Sequence, residues 1–207
     1  MSADRKTYRR ESEEARRDAL IVAAMDLVAE GGPQAATVRA IADRAGVTPG
    51  LIRHYFSSKE ELTRAAYRRL MAWLTRDSAS VLLAHDLGPK AQLAAFVSAS
   101  LRPPVVDPRR LGLWAGFLNA LRTDPAMREV HEQGYRAYRD ILENLIAQLP
   151  RTASPDQIRR DAIACNAVID GLWLEGSALP EGFAEDELAS IGLSAVSAIL
   201  TIDLTKG

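Results

Sequence analysis

The chain reads as an all-α protein of about nine helices: a three-helix N-terminal part followed by a larger helical bundle. Two observations predict this. Apolar residues recur at helical spacing along nearly the whole length, and no useful stretch shows the period-two alternation of a strand. A capping residue followed at once by proline recurs at Asp107-Pro108, Asp124-Pro125 and Ser154-Pro155, with Gly88-Pro89 of the same form. Proline suits such a start because its missing N–H is not needed in the first turn and its fixed φ is already helical.

In chain order, a first helix over about residues 11–30 places Leu20, Ala24, Leu27 and Val28 on one stripe and stops at Gly31-Gly32-Pro33. Thr37 caps the second, whose Val38, Ile41, Ala42 and Ala45 form a buried face while Arg39, Asp43 and Arg44 stay in water. Gly46 ends it. Thr48 and Pro49 open a third helix almost immediately, with Leu51, Ile52, Tyr55 and Phe56 for packing and Pro49, Gly50, Arg53 and His54 projecting elsewhere. Ser58 with Glu61 fits a capping box that opens a long fourth helix toward residue 83, and its first amides together with Lys59 suit a phosphate. Two short helices joined by a glycine turn, the second ending in basic and aromatic residues, form a helix-turn-helix of the kind that enters the DNA major groove.

Four further helices follow, from Pro89 to about Leu101, Pro108 to about Arg122, Pro125 to about Leu149 and Pro155 to about Ala178. Ser154 with Gln157 is a second capping box. A last helix, about Glu185 to Leu204, finishes the chain, with Glu185, Asp186 and Glu187 as a solvated start helped by the dipole. The expected division is a DNA-binding domain over residues 1–57, with a basic arm at 1–10, and a ligand-binding and dimerisation domain over 58–207.

Charge is divided in the same way. The chain's net charge is −1, but residues 1–77 hold 14 Lys/Arg against 11 Asp/Glu and residues 78–207 hold 12 against 16. The positive field therefore lies on the motif. Arg5, Lys6, Arg9, Arg10, Arg16 and Arg17 either run along phosphates or form a solvated tail. A single cysteine, Cys165, allows no internal disulfide and suits a reducing cytoplasm, and its apolar setting reads as inert core. The N-terminus lacks the apolar segment of a secretory signal. The longest uncharged run, Leu188 to Ile202, is 15 residues and contains Ser190, Gly192, Ser194 and Ser197. That is short of the roughly 20 residues a membrane helix needs.

The stretch from Thr37 to Leu62 resembles the DNA-binding motif of TetR-type bacterial regulators, whose recognition helix ends in an aromatic-rich run followed by a lysine. Here the signature is His54-Tyr55-Phe56 and then Lys59. The resemblance implies DNA contact by Thr37, Arg39, Thr48, Pro49, Gly50, Arg53, His54, Tyr55 and Lys59. Arg53 stands where the family often has an aromatic and Leu51 where a small polar residue is common. Arg53 either bonds a guanine edge bidentately or holds a phosphate.

The larger part offers Trp114, Phe117, Tyr135, Tyr138 and Trp173 from three successive helices, with Asp170 and Glu175 flanking Trp173. Such a set forms either an aromatic box with a carboxylate for a quaternary ammonium ion or ordinary core. The segment Ile169 to Leu174, with Trp114 to Phe117, resembles the BetI-like, choline-responsive branch of the TetR family. This resemblance implies a small-molecule effector, choline or a related cationic amine, in a pocket of Trp114, Phe117, Tyr135, Tyr138, Asp170 and Trp173.

Residues 188–202 are apolar or small almost all round, so the last helix must be covered on more than one side. Ala162, Ala167 and Gly171 on the preceding helix let another helix approach closely. Either a second copy covers the pair, giving a four-helix interface, or both helices lie inside a monomeric bundle. TetR-like regulators dimerise through these helices, so the resemblance implies a homodimer reading two half-sites.

Catalysis is not indicated. His54, His85 and His131 lie in different elements, and no zinc-ligand spacing, phosphate loop or Gly-x-Ser-x-Gly elbow occurs, so neither metal nor cofactor is expected. The reading is a cytoplasmic homodimeric repressor that leaves its operator on binding an effector. An activator, or a helical partner protein without gene control, is the alternative. Titration of a labelled duplex at rising salt separates these: a DNA reader's log affinity falls by about 0.9 per phosphate neutralised, whereas a partner protein shows no such slope.

Overall fold

The structure is a computed structural model that describes the backbone of residues 2–83 and 87–205, with side chains from Glu13 onward; His85 and the side chains of Arg5, Lys6, Arg9 and Arg10 lie outside the described residues. Among the described residues there are nine α-helices and no strand: α1 (Ser2–Gly31), α2 (Val38–Arg44), α3 (Pro49–Tyr55), α4 (Lys59–Ala79), α5 (Pro89–Ser100), α6 (Pro108–Leu118), α7 (Pro125–Ala147), α8 (Pro155–Ala178) and α9 (Glu187–Leu200). The all-α reading holds. Short 3-10 turns, Ser80–Leu83 and Asn119–Arg122, follow α4 and α6. α1 starts well before residue 11, because residues 2–30 contain neither glycine nor proline and are rich in Arg, Glu and Ala. It stops at Gly32, whose φ of +72° is the left-handed conformation that ends a helix.

The chain forms two compact units, one of residues 1–70 and 112–131, the other of 71–111 and 132–207. In the first, α1 packs on α2 and α2 on α3. Leu20, Ile41, Ala42, Ile52, Phe56, Leu62 and Ala66 are buried there, each large side chain contributing about 1.5–3 kcal/mol. Residues 112–131 complete this unit. The fully buried Tyr67 of α4 lies 5.3 Å from the Phe117 ring and places its hydroxyl 2.6 Å from His131 Nδ1. Arg64 pairs with Asp124 at 2.9 Å, and Gly116 sits so close to α1 that a Cβ there would lie 3.0 Å from Val28 Cγ1.

In the second unit α9 packs on both α8 and α5. Glycines make this possible: a Cβ at Gly176 would overlap Leu188, and one at Gly192 would overlap Leu101. Leu93, Phe96, Val97, Cys165, Ile169, Val196 and Leu200 fill the interior. α9 is shorter than the sequence suggests at both ends. It begins after Asp186, at φ 61°, and stops at Thr201, at φ 54°. Glu185, Asp186 and Glu187 are exposed, as expected of a solvated start, and Asp186 also pairs with the exposed Arg102 at 2.6 Å.

A β-branched residue at positive φ is strained. Thr201→Gly should therefore stabilise the protein by about 1 kcal/mol, read as a rise in the thermal unfolding midpoint, because glycine adopts the same conformation without a Cβ clash.

Candidate nucleic-acid interface and effector site

The α2–α3 pair is built from its turn outward. Thr37 is extended and its Oγ1 accepts the Ala40 N–H at 3.1 Å, as a cap should. At the other end Gly46, with φ +66°, donates to Asp43 O at 3.2 Å while Val47 donates to Ala42 O at 3.0 Å. This paired closure satisfies the last carbonyls of α2 and sends the chain straight into α3. Thr48 is extended but its side chain makes no capping bond; Pro49 and the Leu51 N–H to Thr48 O bond at 3.0 Å start α3 instead. With Ile52 and Phe56 each 2% exposed, the rotation of α3 is set. Pro49, Gly50, Arg53 and His54 are consequently exposed, and Tyr55 is half-buried with its ring edge-on to His54 at 5.0 Å.

Thr37, Arg39 and Thr48 are exposed too, and neither Arg39 nor Arg53 has an ion-pair partner among the described residues. Arg44 is exposed, as helical spacing leaves it, and is also engaged bidentately by the exposed Glu30 at 2.6 and 2.8 Å. That pair raises its pKa through the Glu30 hydrogen bond and charge. Arg16 is exposed, while Arg17 lies over the Phe56 ring, 4.8 Å from its centroid.

The joint between α3 and α4 departs from a simple capping box. Ser58 Oγ accepts the Glu61 N–H at 3.1 Å, but the Glu61 carboxylate turns to Ser57, taking its N–H and its hydroxyl at 2.7 Å each. Those two bonds, then the charges of Arg17 and Arg64, hold the Glu61 carboxyl below the usual range. Glu60 is lowered by its own backbone N–H and by Ser58. The first amides of α4 beside the half-buried Lys59, expected to suit a phosphate, are thus partly taken, Glu60 N–H by its own carboxylate and Glu61 N–H by Ser58 Oγ. Ser57 was the residue that sequence spacing missed, because a capping box counts from Ser58.

In the second unit the candidate effector residues are polar-linked. Asp170 accepts from Asn166 Nδ2 at 2.9 Å and is hydrogen-bonded to the Tyr135 hydroxyl. Burial lifts the Asp170 carboxyl to about 6, against the opposing effect of Asn166 and Tyr135. Burial likewise pushes the phenols of Tyr135 and Tyr138 up. Tyr138 lies 2.7 Å from Ser100 Oγ, its ring 5.1 Å from that of Phe96. Trp173 is 8% exposed and donates its indole N–H to Val105 O at 2.9 Å. Phe117 and the half-buried Trp114 belong to the first unit, where Phe117 packs on Tyr67. Asn166 was legible in retrospect, four residues before Asp170 on the same helix. Cys165 is buried and its thiol is pushed up to about 12, which makes it inert. Among the described residues no group of His, Cys, Asp and Glu could hold a metal ion, and no helix is long and apolar enough to cross a membrane.

Comparison with known proteins places these features. Residues 20–66 match the family model of bacterial regulatory proteins of the tetR family, and residues 89–201 match that of the BetI-type transcriptional repressor C-terminal region. The HTH-type transcriptional regulator BetI of Pseudomonas paraeruginosa is 33% identical over 180 residues, which is 85% of this chain and 88% of that protein. The regulator of the same name from Agrobacterium fabrum is 33% identical over 163 residues, 78% of this chain and 77% of its own length. A crystal structure of a protein from Pseudomonas aeruginosa PAO1 superposes with a TM-score of 0.82 at 29% identity, covering 93% of this chain and 94% of the other. A choline-bound protein of Saccharomonospora viridis shares the fold, with a TM-score of 0.71 at 20% identity over 89% of this chain and 96% of its own.

The raised pKa of Asp170 has a measurable consequence. Because the folded-state value lies above the unfolded one, the ionised carboxylate costs stability above pH 6, and the cost disappears as pH falls toward 4. Asp170→Asn should stabilise the free protein at pH 7 by about 1–2 kcal/mol and flatten the pH dependence of its unfolding midpoint between 4 and 7.

Proposed function

Since the chain belongs to the TetR family of bacterial transcriptional regulators and carries a BetI-type C-terminal region, we propose that this DNA-binding regulator is a cytoplasmic homodimeric repressor released from its operator by a small cationic amine. The family is not a catalytic one. The observation that carries the reading is the α2–α3 pair: a closed glycine turn fixes α3, and its exposed side presents Arg53 and His54, with no ion-pair partner for Arg53 among the described residues. Thr37, Arg39, Thr48 and Lys59 hold backbone phosphates, while Pro49, Gly50, Arg53, His54 and Tyr55 approach base edges and the adjoining backbone. Residues 1–57 form the reading part and 58–207 the effector-binding and dimerising part.

The proposed effector centre is Asp170 with Tyr135 and Tyr138 around it, a carboxylate among aromatic rings, which suits a quaternary or tertiary ammonium ion. Trp173 of the same unit completes the aromatic set while also serving as packing, whereas Trp114 and Phe117 belong to the first unit and are not counted in this centre. The choline held by the Saccharomonospora viridis protein, and the stearoyl-CoA held by FadR of Bacillus subtilis, show how widely ligands vary on this fold, so the amine rests on this chain's own carboxylate and rings. An effector releases DNA only by binding the released state more tightly than the bound one.

The proposed dimer face lies on α8 and α9. Ile163, Ala167, Gly171 and Leu174 form one exposed stripe along α8, and Ile191 is exposed on α9. Small and aliphatic residues of this kind suit a four-helix contact between two copies, and a dimer is what operators with half-sites about 34–36 Å apart ask for.

The test is a pair of substitutions. Arg53→Ala should weaken binding to a duplex enriched by the wild-type protein from a random-sequence pool by about 1–3 kcal/mol and relax preference at one base pair. Lys59→Ala should weaken all duplexes alike and reduce the salt slope by about 1. Unchanged binding by both variants in a gel-shift titration would remove the site assignment.

A further inference from the structure

The carboxylate of Glu61 does something the motif alone does not require. It leaves its own cap partner, Ser58, and fastens Ser57, the middle of the three residues between the end of α3 and the start of α4, through two 2.7 Å bonds from the Ser57 N–H and hydroxyl. Around it charges alternate. Arg17 of α1 stacks on Phe56, the residue that closes α3, and faces Glu61; Arg64, one turn further along α4, faces Glu61 and bonds Asp124 at 2.9 Å. Asp124 in turn caps α7 by accepting the Ala126 and Met127 N–H groups at 2.9 and 3.2 Å. All of these residues belong to the first compact unit.

We propose that Glu61, its carboxylate facing Arg17 and Arg64, is a positioning residue for operator binding, fixing the angle between α3 and α4 by holding Ser57 in place. The inference rests on α3 being the reading helix. It follows from geometry. α3 is only seven residues long, so its direction depends on what holds its two ends. The leading end is held by the Gly46 turn and Pro49, and the trailing end by Phe56 and Ser57. Phe56 is fixed by burial beneath Arg17; Ser57 is exposed and has Glu61 to fix it. Releasing Ser57 frees the trailing end to shift by fractions of an ångström, which bidentate base contacts do not tolerate but phosphate contacts do.

The experiment measures binding of the full chain to two probes, the enriched duplex and a mixed-sequence duplex, together with the unfolding midpoint. Glu61→Ala should weaken binding to the enriched duplex about tenfold while mixed-sequence binding stays within about twofold of wild type, because charge contacts outlast a small rotation. Glu61→Gln should regain most of the loss, since its amide oxygen accepts the same Ser57 bonds. Equal loss on both duplexes, a loss accounted for by the unfolded fraction, or a Gln variant no better than Ala overturns the proposal. Arg53→Ala run alongside separates the two readings: wild-type discrimination by that variant refutes α3 as the reader, whatever Glu61 does.

Discussion

Two seven-residue helices are too short to hold their shape in water, where a helical nucleus is costly and about 12–15 residues are needed even for good sequences. The geometry of α2 is therefore borrowed from α1, on which it packs, and that of α3 from α2. Ile41, Ala42, Ile52 and Phe56 are each no more than 2% exposed, and they fix the helices about their own axes while the Gly46 turn fixes the angle between them. Only after that do the exposed faces acquire meaning. Arg39 and Arg53 point outward because the opposite faces have no freedom to do anything but stay buried.

Caps and breaks were the most legible part of the chain. Every start at a capping residue followed by proline appears where the sequence puts it, because such a start is a local property of three or four residues. Reciprocal capping was less legible. In both candidate boxes the serine does its part, Ser58 accepting from Glu61 N–H and Ser154 from Gln157 N–H at 3.2 Å. The second arm goes elsewhere each time: Glu61 to Ser57, and Gln157 forward to Asp161 at 2.6 Å. Gln157 donates its Nε2–H to Asp161, a carboxylate 5% exposed and also bound by Arg151, while its Oε1, the acceptor a capping box would use, takes Arg160 at 3.0 Å.

Long-range grouping was not legible at all. Nothing in residues 112–131 says that they belong with residues 1–70, since their periodicity is that of any amphipathic helix. The partners are 50 to 64 positions apart: Tyr67 with Phe117 and His131, and Arg64 with Asp124. The aromatic set illustrates the same limit. Spacing places Trp114 and Phe117 on one face of a helix, but it does not reveal that Phe117 spends that face on Tyr67, or that Trp173 spends its N–H on the Val105 carbonyl.

Small residues on α8 and α9 sort into two populations that composition alone merges. Ala162, Gly176 and Gly192 are buried, and the two glycines are glycines because Leu188 and Leu101 occupy the space a Cβ would take. These serve the internal approach of α9 to α8 and α5. Gly171 has nothing within 4 Å of its would-be Cβ, and Ala167 is exposed beside it. No internal packing demand explains a flat, small-residue strip on the outside of a helix, where glycine costs about 1 kcal/mol relative to alanine. Its neighbours Ile163, Leu174 and Ile191 are 40–45% exposed, so the strip has an apolar border as well as a low profile. In the proposed dimer, a copy of the same strip meeting it about a two-fold axis would be the apolar helix surface that gives both features a physical purpose.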